Sequence, residues 1–234
     1  MERLIDNQLK KLKKRLIKMG SLVEEQIAGA IQSVETENLE LAEQIILGDE
    51  KVDKFDRKIE KTCQKVLALN QPVALDLRLL MSAMSLDMNL ERMGDNAVGM
   101  AKFIIEMKKK PSFFTQTKFK EMSELAKKLV KNSIDSFVDY NAYYAKQVIE
   151  LDFSMDNLNE ENRRIIIDIM KQDLNNVEPG VAMLGISRMM ERLGDLATNI
   201  AEDVIFIVEA QLIKHKYEKY LFSDEDEDAE SIEE

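Results

Sequence analysis

Two acidic pentads are the residues best placed to do chemistry: Glu91-Arg92-Met93-Gly94-Asp95 and, one hundred positions on, Glu191-Arg192-Leu193-Gly194-Asp195. In each, two carboxylates stand four residues apart. On a helix that spacing puts both on one face, about one turn from each other. Like charges so placed destabilise a helix by about 0.2–0.5 kcal/mol. Upstream of each pentad the same spacing recurs, as Asp49-x-x-x-Asp53 and Asp152-x-x-x-Asp156. Two matched sets result: Asp49, Asp53, Glu91 and Asp95, then Asp152, Asp156, Glu191 and Asp195. Four converging carboxylates repel unless neutralised. The natural counter-charge for an all-oxygen set is a hard divalent or iron-type cation such as Mg²⁺, Mn²⁺, Ca²⁺ or iron. A competing reading makes these acids the wet shoulders of amphipathic helices, with Arg92 and Arg192 neutralising them. Among 44 acidic residues the spacing alone is a weak signal; its duplication favours the metal.

Gly94 and Gly194 lie between the paired acids. A glycine inside a helix costs about 1 kcal/mol relative to alanine. Its presence in both pentads predicts close approach by a ligand or by a neighbouring helix, and the sequence leaves both open.

Other chemistries find less support. His215 is the sole histidine, and neither Glu91 nor Glu191 is followed by His three residues later, which argues against a ferritin-like di-iron bundle. There is no Gly-rich phosphate loop, no zinc spacing, and no Ser/His/Asp or Cys/His arrangement. Nothing in the sequence supports an enzyme. Cys63 stands alone, so no intrachain disulfide forms and a reducing compartment fits.

The elements that position the acids are helical. Apolar residues at Leu9, Leu12, Leu16, Met19, Val23, Ile27, Ala30 and Val34 step by three and four along one helix face. A second helix runs from a cap at Asn38 to the break at Asn70-Gln71-Pro72, and a third from Val73 to Lys108. After Pro111 the pattern restarts. Helices over Lys118–Asp139 and Asn141–Gln172 follow, then a turn at Asn175–Gly180 containing Pro179, and a last helix from Val181 to Tyr220. Asn141, Ala145, Gln147, Ile149 and Asp152 repeat Asn38, Ala42, Gln44, Ile46 and Asp49 at a constant offset of 103. The prediction is an all-α protein of six long helices, built by internal duplication as two tandem three-helix bundles packed side by side. Residues 1–110 form the first bundle, 111–117 a linker, and 118–222 the second. The tail 223–234 carries eight acids and no base and is expected to be disordered.

Net charge is −11, but setting the tail aside leaves 36 acids against 33 bases. That balance argues against nucleic-acid binding. The lysine-rich first half of helix one (Lys10, Lys11, Lys13, Lys14, Arg15 and Lys18) reads as a solvated face. Its alternative is a docking stripe for an acidic partner or lipid headgroups. Most of the fourteen methionines, Met81, Met84 and Met183 among them, read as core filler, with Met88, Met189 and Met190 candidates for an adaptable interface. No signal-peptide core follows Met1 and no apolar run approaches ~20 residues, so a cytoplasmic protein, at most peripheral to a membrane, is expected.

The sequence resembles the PhoU family of phosphate-uptake regulators. The likeness is carried by the Glu-Arg-x-Gly-Asp-x-Ala cores at 91–97 and 191–197, by Gln71-Pro72-Val73-Ala74-Leu75-Asp76-Leu77-Arg78 and by Asn199-Ile200-Ala201-Glu202. The resemblance implies a cytoplasmic homodimer of two three-helix bundles. It also implies association with the ATPase subunit of a phosphate ABC transporter and with a phosphate-sensing histidine kinase, restraining both when phosphate is plentiful. Metal binding by the Asp/Glu-x-x-x-Asp motifs is implied as well. It selects Glu91, Asp95, Glu191 and Asp195 first, then Asp49, Asp53, Asp152 and Asp156. Asp87 is answered by Ser187 in the second half, and Gly99 by Asn199, so unequal occupancy of the two sets is expected. A metal-free helical scaffold, and a metal-dependent enzyme or metal store, stand as alternatives.

Overall fold

A computed structural model describes residues 4–213 of the chain; His215 and the acidic tail lie outside them. The last helix ends within them at Glu209, where Ala210 takes left-handed backbone (φ 58°), short of the expected Tyr220. Seven α-helices occur among the described residues: α1 (Leu4–Thr36), α2 (Leu39–Gly48), α3 (Glu50–Asn70), α4 (Ala74–Met107), α5 (Phe119–Asp139), α6 (Ala142–Gln172) and α7 (Val177–Glu209). The single expected second helix arrives as α2 and α3. Only Asp49 separates them, and it keeps right-handed helical dihedrals (φ −60°, ψ −30°), so the pair runs on as one interrupted rod. Gly48 precedes the break where α6 has Leu151, and a mid-helix glycine weakens the ladder. Six rods therefore form the two tandem three-helix bundles, α1 with α2–α3 and α4, then α5 with α6 and α7.

The stripe on α1 is buried as its spacing predicts, with Leu12, Leu16, Met19, Val23, Ile27, Ala30 and Val34 all at 2% exposure or less. A fully buried side chain of this kind contributes about 1.5–3 kcal/mol. The two halves turn their first corner alike. Glu37 and Tyr140 take left-handed backbone (φ 57° and 50°). The next residue then caps a helix: Asn38 accepts from the Leu41 amide at 3.0 Å and Asn141 from the Tyr144 amide at 3.2 Å.

Two further expectations need correction. The turn assigned to Asn175–Gly180 ends early, because a single 3-10 turn at Leu174–Asn176 leads straight into α7. Pro179 is tolerated there since the first-turn amides of a helix have no intrahelical acceptor to lose. Met183 is buried as expected, but Met81 and Met84 are exposed rather than core, alongside Met88, and Met190 is buried, which removes it as an interface candidate.

The linker is well anchored. Phe113 is buried, Phe114 packs at a 46° tilt against Phe119 with ring centroids 4.9 Å apart, and the Lys110 amide and ammonium donate to the Glu37 carboxylate and the Glu35 carbonyl. One hydrophobic core runs through both halves. Its centre is the antiparallel pairing of α4 with α7. Along that seam Ser82 Oγ donates to the Asp203 carbonyl at 3.4 Å and Asn199 Nδ2 to Asn89 Oδ1 at 3.5 Å. Gly99 lies against Met189, and Gly185 against Phe103. The helices bearing the twin pentads thus back onto each other, while each pentad faces the second rod of its own bundle.

Candidate functional site

The first groove lies between the α2–α3 rod and α4. Burial, followed by the charges of Asp53 and Asp95, raises the Asp49 carboxyl above its ordinary range, against a lowering hydrogen bond from Gln26 Nε2 at 3.2 Å. Glu91 is raised by burial and then by Asp95, Asp56 and Asp49, with Arg92 a smaller opposing influence. Asp49, Glu91 and Asp95 therefore share one field. Asp53 sits beside Asp49 but pairs with Arg57 at 3.7 Å, on the flank of the groove. Its expected place opposite Glu91 is taken by Asp56.

Deeper along α4, Asp87 is 5% exposed and its carboxyl is pushed up to about 8, by burial first and then by Asp56, Glu60 and Glu91. A single Asp87 oxygen, Oδ1, is buried without any hydrogen bond.

The second groove lies between α6 and α7 and brings all four expected acids together. Asp152 is pushed up to about 7 by burial, then by Asp156, Asp195 and Glu191, while Thr198 Oγ1 donates to its Oδ2 at 3.1 Å. Glu191 is raised by burial and by Asp195, and Asp195 by burial and by Asp156. Two arginines offset these acids, Arg188 first and the expected Arg192 behind it. Arg188 Nη1 donates to Glu191 Oε1 at 2.7 Å. The equivalent of Arg188 in the first half is Met88, so the first groove has no such partner. At the depth of Asp87 the second groove is neutral: Ser187 Oγ donates to Asn159 Oδ1 at 2.8 Å, and Asn162 Nδ2 donates to Ser187 Oγ at 3.1 Å.

The glycines of the pentads make room for these acids. A Cβ at 94 would stand 3.3 Å from both Asp49 Oδ1 and Gln26 Oε1, and a Cβ at 194 would run into Asp152 Oδ1. The open choice between ligand approach and helix approach is thus resolved at the level of contact: a carboxylate of the facing helix occupies the space.

Among the described residues, no three His, Cys, Asp or Glu side chains form a ready-made ligand set. The donor chemistry nevertheless fits a hard cation. Asp152 Oδ1, Glu191 Oε2 and Gln26 Oε1 are buried oxygens with no hydrogen-bond partner, and each lies on a groove. An unsatisfied buried carboxylate oxygen costs more than about 1–3 kcal/mol, which a bound cation would offset.

Gln26, Arg188 and Thr198 were not singled out by the sequence. Gln26 had a signal, a polar residue at a position of α1 next to the buried Ile27. Arg188 had one too, three residues before Glu191 on the same helix face.

These shifts give the stability of the metal-free protein a definite pH dependence. Asp87 and Asp152 titrate at about 8 and about 7 when folded, against about 3.9 when unfolded. Between those values the folded state holds more protons, so stability falls as pH rises. We expect the melting temperature in chelator to decline from about pH 4 to about pH 8, and Asp87→Asn to flatten the upper part of that decline. A melting temperature that climbs across this window would contradict the assignment.

The chain has close relatives. The family model described as "PhoU domain" matches residues 16–104 and 119–204. A "Phosphate-specific transport system accessory protein PhoU homolog" of Aquifex aeolicus is 34% identical over 212 residues, covering 91% of this chain and 96% of the relative. Its namesake in Clostridium acetobutylicum is 30% identical over 207 residues, with 88% and 94% covered. The crystal structure of PhoU from Pseudomonas aeruginosa superposes with a TM-score of 0.85 at 29% identity, over 88% of this chain and 99% of that one. That of the phosphate transport system regulatory protein PhoU from Streptococcus pneumoniae gives 0.78 at 29% identity, over 89% and 98%.

Proposed function

This chain belongs to the PhoU family, and we propose that it restrains a phosphate-specific ABC transporter and the associated sensor kinase when phosphate is plentiful. Relatives named as accessory proteins of a phosphate-specific transport system support the regulatory reading. In this role the protein works by contact, docking on the transporter's ATPase subunit and on the histidine kinase from the cytoplasmic side, as a homodimer and without catalysis. No helix among the described residues is long and apolar enough to cross a membrane, which fits attachment through partners.

The metal half of the proposal is carried by one observation: buried groove oxygens, Asp152 Oδ1 and Glu191 Oε2, that lack any hydrogen bond. A hard cation would supply Lewis-acid charge to these oxygens and draw the carboxylate pairs of facing helices together. Asp49, Asp53, Glu91 and Asp95 would hold it in the first groove, with Asp56 and Gln26 flanking. Asp152, Asp156, Glu191 and Asp195 would do so in the second. Arg188 already offsets one charge in the second groove, so the first is expected to take up more cationic charge.

Elemental analysis of protein purified without a metal-affinity tag tests the metal half, beside Glu91→Ala with Asp95→Ala. We expect bound metal in the wild type, less in the variant, and weakened phosphate-dependent repression. Metal content and repression both unchanged by the variant would remove the metal half. Wild-type protein free of metal would favour a plain helical scaffold. Affinity capture from phosphate-replete cells tests the regulatory half, and absence of both transporter and kinase subunits would count against it.

A further inference from the structure

Helix α3 separates charges of opposite sign. Asp56 and Glu60 lie toward the acidic groove, while Lys58, Lys61 and Lys65 line a cleft on its other side, against α1. Across that cleft stand Lys11 and Arg15 of α1, so five cations face one another from two helices around a cavity of about 340 Å³. Among the described residues, no carboxylate lines it. Two other bases of α3 have acid partners, Lys54 with Glu50 at 2.9 Å and Arg57 with Asp53 at 3.7 Å. Among the described residues, Lys11, Lys58, Lys61 and Lys65 have no such ion pair.

The cleft is held in shape by hydrogen bonds between its walls. The Arg15 guanidinium donates to the Lys58 carbonyl at 2.7 Å and to the Thr62 hydroxyl. At its far end Asn70 Nδ2 donates to Gln8 Oε1 at 2.8 Å. Beneath it Leu12 and Leu16 are buried in the core, so the α1 wall cannot turn away without losing that packing. Cations confronting each other across two packed helices raise the energy of the free protein, as like charges on a helix face do. A solvated basic face needs no such confrontation, since it can spread its charges or alternate them with acids.

We propose that this cleft binds a compact anion carrying two or more phosphate groups. A cavity near 300 Å³ is at the lower end of the range for small-ligand sites, too small for an extended nucleic acid. The guanidinium donors that Arg15 keeps beyond Nη1, beside four lysines, match the oxygens of adjacent phosphates. The site is separate from the acidic grooves and does not depend on the regulatory reading. The same chemistry is offered by a free polyphosphate-type anion and by a phosphate-bearing lipid headgroup, which the experiment separates.

Full-length protein in low-salt, metal-free buffer is titrated calorimetrically with tripolyphosphate. In parallel it is floated with phosphatidylcholine vesicles lacking or containing cardiolipin, whose headgroup carries two phosphates. The proposal expects saturable binding in at least one arm, weakened on the order of tenfold or more by Lys61→Glu with Lys65→Glu. Lys108→Glu with Lys109→Glu, exposed and remote in sequence from the cleft, serves as the charge control and should bind as wild type does. Circular dichroism confirms that both variants keep their helices. Binding of tripolyphosphate assigns a free anion, and binding of cardiolipin vesicles alone assigns a headgroup. No saturable binding in either arm overturns the proposal, as does binding that the cleft variant leaves unchanged or that the control weakens equally.

Discussion

Gly194→Ala is expected to disable cation binding in the second groove while leaving the fold intact, and Gly94→Ala to leave the first groove working. The asymmetry follows from what each new methyl group meets. At 194 it collides with Asp152 Oδ1 and comes within 3.4 Å of Asp152 Cγ and Met155 Cγ. The carboxylate must swing out, losing the Thr198 hydrogen bond and its place beside Glu191 and Asp195. At 94 the nearest atoms, Asp49 Oδ1 and Gln26 Oε1, are 3.3 Å away and need to give only a few tenths of an ångström. The helix itself gains about 1 kcal/mol from alanine in either case. Metal content per chain and the cation-induced rise in melting temperature report the result. Undiminished content and an undiminished rise in Gly194→Ala would show that Asp152 is not a ligand.

Neutralising the first groove should separate stability from function. With Asp49→Asn and Glu91→Gln, two charges held against burial and mutual repulsion become amides of nearly the same shape. The metal-free variant is expected to melt higher than wild type at pH 8, by roughly 2–4 °C for each kcal/mol of repulsion relieved. Saturation at about 100 times the dissociation constant stabilises a site by about 2.7 kcal/mol, a shift of roughly 5–10 °C per groove for a chain of this length. The variant should lose the first groove's share of that shift. A variant less stable than wild type without metal, yet moved as far by added Mn²⁺, would contradict both parts. Residues kept for packing alone do not behave in this way, because their replacement lowers stability without touching the response to ions.

Much of this architecture was legible from spacing. The α1 stripe, the twin asparagine caps at Asn38 and Asn141, and the matched acid pairs all follow from helical periodicity repeated at a fixed offset. Local exceptions were not legible. Proline usually marks a boundary, yet Pro179 sits where a helix tolerates it, and only the position of the preceding 3-10 turn decides that. At the second groove, Arg192 adjoins Glu191 in sequence and does offset it, but less than Arg188 does. On a helix, adjacent residues point about 100° apart, and Arg188, three positions back, shares the face instead. Gln26 lies on a different helix from the acid it serves, a juxtaposition that no single-helix pattern contains. Asp53 carried the right spacing but faces Arg57, since spacing fixes a residue's azimuth and not its choice of partner.

The seam between α4 and α7 has the form of a contact between two separate subunits. Asn89 meets Asn199, and Gly99 meets Met189. Because the pentads repeat at an offset of one hundred, position 89 is the counterpart of 189 and 99 of 199. Each contact is therefore the exchanged image of the other, the signature of an isologous two-fold interface. The chain is in this sense a dimer joined end to start by the anchored segment after Lys110. A single ancestral unit of three helices would have left that face bare and needed a twin to cover it. Covalent linkage lets the two halves differ in sequence, and they do: where the first has Asp87, Asp56 and Glu60, the second has Ser187, Asn159 and Arg163.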